Sequence, residues 1–173
     1  MSESGLVHIY TGEGKGKTTS AVGLGIRALS HGMKVCYSYF NKKPSFYGTT
    51  EVSTLEGLGA TIVGEENQLG DKVVYDSYFD ANQDNFKSLK RLISDNDFDM
   101  LIMDEILISV GSKLIDEDSV IDFIKNKPKK LELVLTGRNA TDKLIDMADY
   151  VSYIQMMKHP FERGQGSREG IEY

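Results

Sequence analysis

The run Gly12-Glu13-Gly14-Lys15-Gly16-Lys17-Thr18-Thr19 carries the densest chemical signal in the chain. Glycines at alternate positions let the backbone turn its N–H groups toward a common centre. A helix starting at the end of the run would add the positive end of its dipole, so the site expected is one for phosphate oxygens. Lys17 offers a point charge to those oxygens, and Thr18 offers a hydroxyl for a magnesium ion. The usual phosphate-loop pattern opens on a glycine where this chain has Thr11, so the glycines at 12 and 14 make a tighter variant. The candidate nucleotide contacts are Thr11, Gly12, Glu13, Gly14, Lys15, Gly16, Lys17, Thr18 and Thr19. The bland alternative, a flexible turn with solvated lysines, is disfavoured because spacing and context agree.

Two further segments bring charge to the same place if their strands are parallel to the first. Asp104-Glu105 follows the apolar run Met100-Leu101-Ile102-Met103, and an acid at such a strand end helps hold magnesium in nucleotide hydrolases. Thr18, Asp104 and Glu105 are therefore the candidate metal ligands, although an acidic strand end on its own is common and often merely solvated. Thr136-Gly137-Arg138 closes a second apolar run, Leu131-Glu132-Leu133-Val134-Leu135. A guanidinium there suits bidentate phosphate contact and stabilisation of a leaving group, and a surface ion pair fits it equally well.

The elements that must position these groups alternate. Leu6 to Tyr10 is strand-like, Thr19 to Leu29 has helical spacing up to His31-Gly32, and Met33 to Phe40 is a second strand before a loop over Asn41 to Thr50. A helix over Glu51 to Leu58 and a short strand over Ala60 to Val63 follow. Gly64 to Ala81 has no clear period, and its polar composition suggests a loosely packed flap. Phe86, Leu89, Leu92 and Ile93 then mark one face of a helix. Asp99 to Met103 is a strand, Asp116 to Lys125 a helix, Leu131 to Thr136 a strand, Thr141 to Ala148 a helix and Tyr150 to Ile154 a last strand. Such alternation predicts an α/β fold with right-handed crossovers, a mostly parallel sheet covered on both faces, and ligands beyond the strands' carboxyl ends.

The remaining composition bounds the function. The chain's 173 residues suit one domain spanning 1–173, and the net charge of -6 argues against a general nucleic-acid binder. Cys36 is the single cysteine, sits in an apolar run and reads as a buried small hydrophobe in a reducing, cytoplasmic setting. No apolar stretch approaches the ~20 residues that span a membrane, and Met1-Ser2-Glu3-Ser4 lacks a basic, apolar leader, so a soluble, unprocessed chain is expected. His8, His31 and His159 all have structural explanations, His159 as a residue shaping the terminal loop.

With these segments in view, the chain resembles the ATP:corrinoid adenosyltransferases of the P-loop, recombinase-like fold nearly end to end. The likeness is strongest at Tyr10 to Thr19, Met103-Asp104-Glu105-Ile106, Thr136-Gly137-Arg138, Ala148-Asp149, Lys158-His159-Pro160-Phe161 and Gly170-Ile171-Glu172-Tyr173. The resemblance implies attack of a cobalt(I) corrinoid on the 5′ carbon of ATP, release of intact triphosphate, and nucleotide bound in reversed polarity. It also implies magnesium or manganese, a separate electron donor for cobalt and a homodimer. New charge then develops on the α-phosphate, and Lys17, Thr18, Glu105 and Arg138 are the groups assigned to meet it. Cobalt(I) is itself a strong nucleophile, so no protein base is required. Family members face the corrinoid with an aromatic pair that usually includes tryptophan, which this chain lacks. Tyr75, Tyr78 and Phe79 are the candidate substitutes, and a satellite hydrophobic cluster is the ordinary reading of them. Two other readings remain at this stage: an ATPase coupling hydrolysis to partner binding, and a non-catalytic corrinoid or nucleotide carrier.

Overall fold

The computed structural model describes residues 4–41, 50–64 and 75–172. Six strands form one sheet: β1 (Val7–Thr11), β2 (Val35–Tyr39), β3 (Thr61–Val63), β4 (Met100–Asp104), β5 (Glu132–Thr136) and β6 (Tyr150–Tyr153). Their order is β3-β2-β4-β5-β1-β6, and every pairing is parallel. β2 and β4 are buried at every position, as strands covered on both faces must be, whereas the edge strand β6 is exposed throughout.

The helices are α1 (Lys17–Ser30), α2 (Thr50–Gly57), α3 (Tyr75–Asp95), α4 (Ile106–Gly111), α5 (Glu117–Asn126) and α6 (Asp142–Asp146), with a 3-10 turn at Pro160–Arg163. One core layer joins Ala21, Ala28 and Leu55 to Tyr37, Met100, Ile102 and Val134. The other joins Phe86, Leu89, Ile93, Leu107, Val120 and Ile124 to Leu101, Met103, Leu133 and Leu135. Alternate residues of one strand thus feed opposite layers. A Cβ at Gly25 would stand 3.0 Å from the Ile102 side chain, so the glycine lets α1 lie close on the sheet. Side-chain caps start the later helices: Asp116 accepts from the Ser119 amide at 3.0 Å and Thr141 from the Leu144 amide at 3.3 Å.

Three expectations change. α1 begins at Lys17 rather than Thr19, because Gly16, at φ 125°, turns the chain directly into the helix. Helix α4 was not anticipated, since Ile106 to Val110 continues an apolar run. Glu105, at φ 64°, ends the strand there and starts the helix. The stretch Gly64 to Ala81 is not a flap along its whole length, because α3 runs from Tyr75 and takes in Asp80 and Ala81. Residues 65–74 of that stretch, and residues 42–49 of the expected loop after β2, lie outside the described residues.

Register decides what the topology delivers to one edge. Tyr39 pairs with Asp104, Met103 with Leu135, and Tyr10 with Thr136. The carboxyl ends of β1, β5 and β4 therefore stand side by side.

Candidate active site

The loop after β1 takes its shape from two positive-φ glycines, Gly12 at 105° and Gly16 at 125°. Lys17 is buried with its ammonium donating to Gly12 O at 2.7 Å and Gly14 O at 2.8 Å, so the side chain spans the loop it follows. Burial lowers the Lys17 pKa, and the carboxylates of Glu105, Glu13 and Asp104 pull it back up. Glu13, Lys15 and Thr19 are exposed. Thr11 is buried, and its hydroxyl accepts from the Ala140 amide at 3.2 Å, which ties the loop to the turn after β5.

Asp104 is fully buried and accepts from three hydroxyls. Thr136 donates to Oδ1 at 2.6 Å, Tyr37 donates to Oδ2 at 2.9 Å, and Thr18 reaches Oδ1 at 2.9 Å and Oδ2 at 3.3 Å. Burial first, and then the Asp104 carboxylate, hold Tyr37 well above its ordinary pKa, so it stays a donor. Thr136 also accepts from the Glu105 amide at 2.9 Å, fixing the turn on which Glu105 sits.

The Thr18 hydroxyl donates to Asp104, so it would meet a cation through an oxygen lone pair. Among the described residues no group of three or more His, Cys, Asp and Glu gathers as a metal site. Magnesium keeps several waters and is commonly held by one or two protein groups together with substrate phosphates, and the Thr18 hydroxyl oxygen, backed by Asp104 at 2.9 Å, is a group of that kind. The residues present fit the ion.

Arg138 follows Gly137, where a Cβ would stand 2.8 Å from the Leu107 Cβ. Its Nε lies 3.4 Å from Glu13 Oε2, with both side chains half exposed. An ion pair so exposed contributes at most about 1 kcal/mol, so the guanidinium exchanges readily to a stronger anion.

Beyond β6 the chain returns to the loop. The Gly14 amide donates to Ile154 O at 2.8 Å. His159 shapes the terminal segment, its Nδ1 accepting from the Phe161 amide at 3.2 Å. Arg168 holds Glu172 through its Nε at 3.1 Å and Nη2 at 3.0 Å. These bonds, with Lys15 adding the smallest pull, bring the Glu172 carboxyl down to about 2.

The structure brings together Lys17, Thr18, Asp104, Glu105, Glu13 and Arg138. Phe79 is partly exposed on α3, and the side chains of Tyr75 and Tyr78 lie outside the described set. Sequence reasoning missed the hydroxyls of Tyr37 and Thr136. Thr136 sits inside a motif already singled out, whereas Tyr37 carries no local signal in its strand. Cys36 is buried, and burial pushes its thiol up to about 12. Among the described residues no helix is long and apolar enough to cross a membrane.

The sequence model of the family described as "ATP:corrinoid adenosyltransferase BtuR/CobO/CobP" matches residues 3–173. A corrinoid adenosyltransferase of Sinorhizobium sp is 33% identical, over 99% of this chain and 81% of its own length. One from Escherichia coli K12 is 30% identical, over 100% of this chain and 88% of its own. Among solved structures, a KaiC-like protein from Pyrococcus horikoshii OT3 superposes with a TM-score of 0.64 at 16% identity, covering 90% of this chain and 75% of that one. That likeness speaks to the fold alone.

Proposed function

The chain belongs to the ATP:corrinoid adenosyltransferase family, and on that footing we propose which of its residues carry each part of the reaction. The enzyme moves the 5′-deoxyadenosyl group of ATP to a cobalt(I) corrinoid. The cobalt electron pair forms the bond to C5′, the C5′–O bond breaks, and its electrons leave on the triphosphate. The hydrolase and carrier readings fall away.

Lys17 and the amides of Gly12 to Thr19 bind the triphosphate, and Arg138 leaves Glu13 to meet the same charge. These donors stand ready before the bond breaks, so they oppose the developing charge without reorganisation. When bound, magnesium, or manganese in its place, supplies positive charge against the phosphate oxygens. Thr18 would hold it through its hydroxyl oxygen, Asp104 orients Thr18 from behind, and Glu105 is the carboxylate that acts most strongly on Lys17. The observation carrying this reading is the 2.9 Å hydrogen bond from Thr18 to Asp104, which joins the phosphate loop to the acidic strand end. Titrating magnesium into ATP-binding assays tests it: Thr18→Ala and Glu105→Ala should each raise the concentration required. If neither variant changes the metal dependence, the ion is held elsewhere.

Phe79, with Tyr78 beside it in sequence, is assigned to the corrinoid. Cobalt reduction is assigned to a separate electron donor, which fits a chain whose single cysteine is buried. The partner proposed is a second copy of the chain. Support comes from the open edge of β6, where Tyr150, Val151 and Tyr153 are exposed and continue into exposed Met156, Met157 and Phe161. Sedimentation showing only monomer at working concentrations would remove the dimer.

A further inference from the structure

Tyr37 belongs to the sheet core rather than to the phosphate loop or the helix assigned to the corrinoid. It lies in the centre of β2, fully buried, in the apolar layer formed by Ala21, Val35, Leu55, Ile102 and Val134. Phenylalanine would fill that layer without bringing a polar atom into it. The hydroxyl therefore matters for what it reaches, and it reaches Asp104 Oδ2 at 2.9 Å.

We propose that Tyr37 is a positioning residue of the nucleotide site: it pins the Asp104 carboxylate, and through it sets the angle at which Thr18 presents its oxygen. The proposal rests on the reading that Thr18 holds the metal. The geometry argues for it on two counts. A carboxylate has two oxygens and about four acceptor directions, and a single torsion exchanges them. Thr136 holds Oδ1 at 2.6 Å, whereas Thr18 straddles the two oxygens at 2.9 and 3.3 Å and holds Oδ2 only loosely. Tyr37 supplies the shorter bond to Oδ2, at 2.9 Å against 3.3 Å from Thr18, and its ring is locked by the sheet core. Asp104 thus acts as a fixed acceptor behind Thr18, with its oxygens committed to hydroxyl donors, rather than as a direct ligand of the ion.

The test is calorimetric ATP binding to the full chain, with magnesium and with a chelator, for wild type, Tyr37→Phe, Asp104→Asn and the double variant. Denaturant unfolding without ligand runs alongside. Tyr37→Phe should bind ATP in chelator within about twofold of wild type and lose about tenfold in magnesium, the size of one hydrogen bond to a charged group. In the Asp104→Asn background the same substitution should add no further tenfold loss, because the charged, two-oxygen acceptor that Tyr37 pins is gone and only an amide oxygen remains. If Tyr37→Phe does not fold alone, comparing Asp104→Asn with the double variant still puts the proposal at risk, since both lack the buried charge and a further loss there overturns it. An undiminished magnesium gain in Tyr37→Phe, an equal loss with and without magnesium, or a further tenfold loss in the Asp104→Asn background each overturns the role of Tyr37. A wild type whose ATP affinity ignores magnesium overturns the underlying reading of Thr18 and this proposal with it.

Discussion

Replacing Lys17 by methionine separates what the lysine does for the loop from what it does for the ligand. The ammonium donates to Gly12 O at 2.7 Å and Gly14 O at 2.8 Å from a buried side chain. Two charge-assisted bonds stabilise the loop, but an ammonium has also been taken out of water, and the lowered pKa registers that cost. The two effects oppose each other, so the stability change expected in urea is small, within about 1 kcal/mol. Toward ATP the loss is offset only in part. A unit charge about 4 Å from a phosphate oxygen contributes about 4 kcal/mol at an effective dielectric constant near 20. Releasing the loop carbonyls returns part of this, so about 2 to 4 kcal/mol should be lost, or about 30- to 700-fold in affinity. Titration calorimetry of ATP reads the affinity directly. The pH dependence has a definite sign. The folded-state pKa lies below the ordinary 10.5, so between the two values the unfolded chain binds more protons, and this group's contribution to stability grows as pH rises. ATP affinity moves the other way, falling as pH rises through the folded-state value, because the neutral amine has lost its attraction for phosphate. A folded Lys17→Met variant binding ATP within threefold of wild type would refute the assignment.

Three further outcomes follow from particular contacts. Gly12→Ala places a Cβ 2.5 Å from Ile154 O at a φ of 105°, so it should lower unfolding stability by at least about 2 kcal/mol and weaken ATP binding; a loss under about 0.5 kcal/mol would show that the loop relaxes freely. Phe79→Ala should slow transfer to cob(I)alamin while leaving ATP affinity unchanged, and equal turnover at every corrinoid concentration would remove Phe79 from that surface. Cys36, its thiol pushed up to about 12 by burial, should react with a disulfide reagent only once the chain unfolds; reaction in the native protein at the rate of a free thiol would contradict its burial.

How far the sequence could be read depended on whether a signal was local. The glycine run, the apolar strand entering Asp104 and the strand entering Thr136 each announce themselves within ten residues. Parallel pairing then places their ends together, because one register runs from β1 through β5 to β4. Tyr37 could not be found this way. Its neighbours Cys36 and Ser38 feed the opposite layer of the core, and its partner Asp104 is 67 residues further along the chain. Helix α4 escaped for a different reason: periodicity cannot separate a short buried helix from a continuing strand, and only the left-handed backbone of Glu105 does so. The first turns of α3 were missed because residues such as Asp80 and Gln83 dilute the helical period.

The departure at Thr11 now has a physical explanation. A glycine is needed where the chain leaves ordinary backbone angles, and at Thr11 it has not yet left them, because β1 extends through that residue and pairs it with Tyr153. A β-branched residue suits a buried strand position, and the threonine hydroxyl also accepts from Ala140. The left-handed turn comes one residue later, at Gly12. There the glycine serves a second purpose unrelated to phosphate, since a Cβ at Gly12 would meet Ile154 O at 2.5 Å and one at Gly14 would meet Gln155 O at 2.8 Å. The chain leaving β6 therefore packs directly on the outside of the loop, held by the Gly14 amide on Ile154 O at 2.8 Å. Two segments more than a hundred residues apart in sequence thus form one mechanical unit. A substitution at 154 or 155 that shifts this backbone should reach the triphosphate site through Gly12 and Gly14, without touching ligand itself.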